Sequence, residues 1–145
     1  MSKRFTLAQA QRLIPQVEPL VRQAVAVNKE FQEAEGAVQA TSRRIHMMGG
    51  VTIDRAQAIA ARTRRDTAVS SLKAALEKIE EIGCQIKDLD IGLIDFLTLY
   101  HGREVCLCWK LGEPHIAFWH DTEEGFRGRK PINREFLENH RGDPV

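Results

Sequence analysis

From Thr6 to Met48 the chain steps alternately by four and three residues through Thr6, Ala10, Leu13, Val17, Leu20, Ala24, Val27, Phe31, Ala34, Val38, Thr41, Ile45 and Met48. A 3.5-residue repeat sustained for about six heptads holds one seam on one side of an α-helix, and that seam calls for a second helix beside it. Thr6 is placed to cap the helix, with Gln9 completing a capping box and Phe5 reaching Ala10 as a hydrophobic staple. Pro15 falls inside the pattern and predicts a kink or a break near Leu13–Ile14. The paired glycines Gly49 and Gly50, with Thr52 after them, predict a turn over 46–52. A second ladder then runs Ala58, Ala61, Arg65, Ala68, Leu72, Ala75, Ile79, Ile82, Ile86, Leu89, Leu93 and Phe96. Residues 1–98 therefore read as a coiled-coil-like antiparallel hairpin, whose arms of about 36–40 residues would each be roughly 55–60 Å long.

The seam of the second arm changes along its length. Near the turn it offers Ala58, Ala61, Arg65 and Ala68, and farther on it offers isoleucines and leucines. Two thin helices bury little per residue, and Val21, Val25, Ile59 and Leu76 lie outside the seam, in need of cover. A second copy of the chain would supply it, so the expectation is a homodimer associating through the helices.

After Phe96 the period changes. Arg103–Lys110 and His115–His120 read as strands joined through Leu111-Gly112-Glu113-Pro114. A lone hairpin is marginal in water, so residues 99–132, with a basic glycine loop at 125–132, are expected to pack on the open end of the helices. Residues 133–145 form a polar tail apart from Phe136 and Leu137, with room for a short helix. The expected fold is mainly α with a small β-hairpin (α+β): a long antiparallel helical hairpin carrying a compact C-terminal β subdomain.

Composition narrows the function classes. The 145 residues suit one domain, and 21 Lys and Arg against 20 Asp and Glu give no electrostatic case for whole-molecule nucleic-acid binding. The arginine patch of Arg62, Arg64 and Arg65 with Arg43 and Arg44 lacks interleaved aromatics, leaving nucleic acid a weak reading. No apolar run near the start has the about 7–15 residues of a secretory signal, nor any the about 20 of a membrane span, so the expectation is a cytoplasmic protein without a membrane partner. Three cysteines, Cys84, Cys106 and Cys108, do not suit a disulfide framework. Cys106 and Cys108 share one face of their strand, where they read first as small packed hydrophobes.

The run Cys84-Gln85-Ile86-Lys87-Asp88-Leu89-Asp90-Ile91-Gly92-Leu93-Ile94-Asp95-Phe96 resembles the signature of a family of small bacterial proteins defined as a domain of unknown function. Gly102-Arg103-Glu104-Val105, Leu107-Cys108-Trp109-Lys110-Leu111-Gly112-Glu113, Trp119-His120 and Gly125-Phe126 with Gly128-Arg129 and Pro131-Ile132 resemble it as well, in order and spacing over 83–132. Leu97 stands where the family pattern has proline, which lets the helix run slightly further. The resemblance implies a bacterial origin and supplies no mechanism.

The polar residues that could carry chemistry are Lys87, Asp88, Asp90, Asp95, Arg103, Lys110, Glu113 and His120. On a continuing helix Asp88 and Asp95 share a face and Lys87 can pair with Asp90. Acidic groups at a helix C-terminus oppose the macrodipole and call for a compensating cation. Asp95 pairing with Arg103, or capping a turn at Gly102, is the plain structural answer. A divalent metal is the alternative, gathering Asp88, Asp90 or Asp95 with His120, and in a wider set His115 and Glu113, a mixture suited to Zn, Mn or Fe. Arg127, Arg129 and Lys130, with Arg134 beyond, could hold a phosphate or another anion, or close onto the acidic residues. Nucleophilic catalysis has little to build on, although His120 could face Cys106 or Cys108 across the hairpin. The favoured expectation is an interaction or scaffold module with a protein partner. The alternative is a small metal- or phosphate-dependent enzyme or ligand sensor, with its site between the end of the second helix, the β-hairpin and the arginine loop.

Overall fold

The computed structural model describes residues 3–47 and 55–144. Two long antiparallel helices, α1 (Leu7–Met47) and α2 (Arg55–Ile82), form the hairpin. The predicted turn at 46–52 lies, beyond Met47, outside the described residues. The capping box forms as read: the Thr6 amide donates to Gln9 Oε1 at 2.9 Å and the Gln9 amide to Thr6 Oγ1 at 3.1 Å. Of the expected kink or break near Leu13–Ile14, the break does not occur. Pro15 and Pro19 both sit inside a continuous α1, and both are exposed. Four residues apart, they share the solvent side, where water can satisfy the carbonyls that lose their intrahelical donors.

The second helix ends fourteen residues short of Phe96. Gly83, at φ 109°, terminates it at Ile82, and the residues beyond enter a sheet. The strands are β1 (Gln85–Asp88), β2 (Leu93–Tyr100), β3 (Arg103–Lys110), β4 (Phe118–Asp121) and β5 (Lys130–Pro131), in that spatial order. A 3₁₀ turn (Phe126–Gly128) precedes β5, and α3 (Arg134–Asn139) and β6 (His140–Arg141) follow it. The subdomain thus begins near residue 85 rather than 99, and the predicted hairpin corresponds to β3 and β4 inside a six-stranded sheet. The described part of the tail packs back on the fold: β6 pairs with Leu99 and Tyr100, and the Asp143 amide donates to the Arg4 carbonyl at 3.1 Å.

The sheet lies on the proximal half of the hairpin. Ala10, Ile14, Val17, Val21 and Ala24 of α1, with Ala75 and Ile79 of α2, share one buried cluster with Ile94, Phe96, Val105, Leu107 and Trp109. Ile14 and Val21 lie outside the heptad seam because α1 buries two stripes, one toward α2 and one toward the sheet. The cover expected from a second subunit is therefore largely internal: Val21 is buried, Val25 and Leu76 are half-buried, and only Ile59 is left 61% exposed. In the distal half, where the seam is alanine-rich, ion pairs bridge the arms. Arg64 is held by Glu30 and Glu33, and Arg65 by Glu35 at 3.8 Å.

Candidate metal centre

Strand alternation sorts β3 into two sets. Val105, Leu107 and Trp109 point to the helices, and Cys106 and Cys108 point to the opposite face. Register then decides what meets them there. Asp95 of β2 lies opposite Cys108, and His120 of β4 lies opposite Cys106. The ligand atoms of Asp95, Cys106 and His120 all fall within 4.8 Å of one another, and all three residues are buried. At the Cys108 end this face is capped by Arg129, whose guanidinium lies 4.2 Å from the Phe118 ring centroid and 5.0 Å from that of Phe126.

His120 Nε2 is 2.9 Å from Asp95 Oδ1, and Nδ1 is 2.7 Å from the Asp121 carbonyl. Both ring nitrogens thus face acceptors. Without a metal, that geometry needs a proton on each nitrogen, or one shared between Nε2 and the carboxyl. Burial opposes the charged ring, but its hydrogen bonds to Asp95 and to the Asp121 carbonyl outweigh it and hold the His120 pKa above the usual histidine range. Burial, reinforced by the Asp95 charge, pushes the Cys106 and Cys108 thiols up to about 12. Among the described residues, Asp95 Oδ2 is buried with no hydrogen-bond partner. A buried carboxylate oxygen without a donor is costly, and a cation would satisfy it.

These residues fit a transition-metal site. A carboxylate, a thiolate and an imidazole are all zinc ligands, and His120 already anchors Nδ1 on a carbonyl, leaving Nε2 directed at the other donors. No carboxylate–thiol–imidazole arrangement of this compactness suits a hard cation that prefers oxygen alone. The group can bind a divalent ion; being sealed from solvent, it cannot touch a substrate without the sheet opening.

Only part of the sequence-predicted set comes together here. Asp95 and His120 meet, and Asp95 does not pair with Arg103, whose guanidinium is taken by Asp121. Lys87, Asp88 and Asp90 are exposed on β1 and the turn after it, so no helix face unites them; Asp88 Oδ1 instead accepts from the Asp90 amide at 2.9 Å. Asp88 and Asp90 are accordingly not part of the compact donor group. Lys110 and Glu113 close the β3 turn, with the Lys110 amide donating to Glu113 Oε1 at 2.7 Å. His115 is exposed in that turn region. The arginine loop closes onto Glu113, one of the candidate acids, and onto Asp121 and Glu124, not onto Asp88, Asp90 or Asp95. Arg129 pairs with Glu113 at 2.5 Å, and Lys130 with Glu124 at 2.6 Å and Asp121 at 3.5 Å. Arg127 is exposed on the 3₁₀ turn, so an anion there would have to compete for two of the three cations. Cys106, read from the sequence as a packing residue, is the third member of the donor group; its signal was the Cys–His alignment across a short β-hairpin.

No helix among the described residues is long and apolar enough to cross a membrane. Residues 3–132 match a family model, DUF2203, described as an uncharacterized conserved protein. No curated protein and no solved structure matches the chain.

Proposed function

We propose that this chain, which belongs to the DUF2203 family, binds a divalent transition metal through Asp95, Cys106 and His120 and works as a metal-responsive sensor module. The observation that carries the reading is the convergence of three buried ligand atoms within 4.8 Å, one belonging to a carboxylate whose second oxygen has no partner among the described residues. Burial favours sensing over turnover, because a closed site can report occupancy through the stability of the sheet around it but offers no open position to a substrate. Equilibrium dialysis of the reduced, metal-stripped protein against Zn²⁺ tests it. One ion per chain and a raised unfolding midpoint are expected, both lost in Cys106→Ser. A wild-type protein that binds no zinc, or a Cys106→Ser variant that binds it equally well, overturns the reading.

A second reading, self-association through the helices to form an interaction module, is favoured by one observation. Outside the sheet's reach the arms carry Ile59 at 61%, Val69 at 44% and Met47 at 83% exposure. Light scattering should then give a dimer for the wild type and a monomer for an Ile59→Glu, Val69→Glu variant. A monomeric wild type at high concentration sinks it.

A further inference from the structure

Cys108 has no place in the compact triad, yet it shares the triad's face, is completely buried, and stands directly across from Asp95 in the β2–β3 register. The two thiols flank the same carboxylate: Cys108 opposite it, and Cys106 one alternate position further along β3. Both feel the Asp95 charge. Asp95 is also the side chain whose second oxygen, Oδ2, has no partner among the described residues. Cysteine turns about a single χ1 bond among three staggered positions, so its sulfur can swing toward a neighbour without moving the backbone.

We infer that Cys108 supplies a second thiolate, completing a four-ligand set of Asp95, Cys106, Cys108 and His120 that selects a thiophilic ion of the Zn²⁺ class over Mg²⁺, Ca²⁺ or Mn²⁺. The inference rests on the metal reading and goes beyond it in ligand number and ion class. Two sulfurs, one imidazole and one carboxylate make a closed tetrahedral donor set, the arrangement of zinc sites that hold structure rather than process substrate. The close Cys-x-Cys spacing is shorter than that of loop-built zinc sites. A strand accommodates it because alternate residues project side by side from one face.

X-ray absorption of the zinc-loaded wild-type protein counts the sulfurs directly, at about 2.3 Å from the metal. Two sulfurs per zinc support the inference; one sulfur overturns it while leaving the triad intact as a metal site. Cobalt-loaded variants give a second readout that does not depend on the same measurement. The thiolate-to-cobalt charge-transfer intensity should fall by half in Cys108→Ser, with at least a tenfold loss of affinity, and the ion should be lost in Cys106→Ser. Full intensity and unchanged affinity in Cys108→Ser would make Cys108 a packing residue. Failure of the wild type to bind either ion removes the metal reading and this inference together. Dialysis against Mg²⁺ and Mn²⁺ should show no retention by the wild-type protein, and tight retention of either would overturn the assigned ion class.

Discussion

At the scale of single residues, burial separates the polar groups that matter from those that do not. His120 and Asp95 meet at 2.9 Å with neither side chain exposed, so removing one partner leaves the other's buried polar group without its mate. His120→Ala should cost about 3–5 kcal/mol in urea unfolding of the metal-free protein. Asp88→Ala, which loses one exposed turn contact, should cost no more than about 1 kcal/mol. A His120→Ala midpoint close to that of Asp88→Ala would show that the pair is not the buried unit described. The thiols make a second test. Cys84, Cys106 and Cys108 are all buried, and burial pushes each up to about 12. None is a ready nucleophile near neutral pH, because the thiolate is the reacting species. A thiol-specific chromogenic reagent should find no fast-reacting cysteine in the native protein and three after denaturation. One rapid equivalent before denaturation would contradict the burial of the cluster.

At the scale of elements, what was readable depended on whether a local pattern had one structural solution. The capping box at Thr6 and Gln9 had one, and so did the 3.5-residue seam of α1, which no strand can satisfy over six heptads. The stretch from Ile86 to Phe96 had two. Ile86, Leu89, Leu93 and Phe96 continue a helical ladder, while Ile94, Phe96 and Tyr100 alternate as a strand does. The deciding residues are glycines whose conformation a helix does not provide: Gly83 at φ 109° and Gly92 at φ 69°. The site was half-legible for the same reason. Asp95 and His120 were candidates by chemistry, but their meeting depends on β2–β3–β4 register, and reading Asp95 on a helix grouped it with Asp88 and Asp90 instead. Gly92 carries the element-scale prediction. A Cβ there would lie 2.7 Å from Leu111 Cβ and 3.2 Å from Val21, in a left-handed conformation. Gly92→Ala should destabilise by about 2–3 kcal/mol, adding the conformational cost to a clash that the packed helix cannot easily relieve. Gly112, also at positive φ but with open space around it, supplies the comparison, and its alanine variant should lose only the conformational part. Equal losses at the two positions would mean that the approach of Val21 and Leu111 exerts no strain.

At the scale of the whole molecule, the two chain ends close the fold together. The Phe5 amide donates to the Leu97 carbonyl at 2.7 Å, filling the β2 edge between β1 and β6. The Leu7 amide donates to His140 Nε2 at 3.0 Å, and the Arg4 amide to Asp143 Oδ2 at the same distance. Between these contacts Phe136 is 1% exposed and stacked against Tyr100, Trp119 and His140. The family match ends at residue 132, yet this packing comes from residues 134–144, so the tail completes the core that the matched region begins. Phe136→Ala should therefore cost about 3–5 kcal/mol, the range for emptying a buried aromatic site, whereas Leu137→Ala, at 46% exposure, should change stability by under about 0.5 kcal/mol. A chain ending at residue 132 should unfold at a much lower urea midpoint than the full protein. Because β6 pairs the far end of β2 while Asp95 sits nearer its start, the same truncation should also weaken metal binding through loss of sheet stability, not loss of ligands. Excess Zn²⁺ should then restore a folded sheet by mass action. A truncated chain as stable as the full protein would show that the residues after 132 decorate the core without closing it.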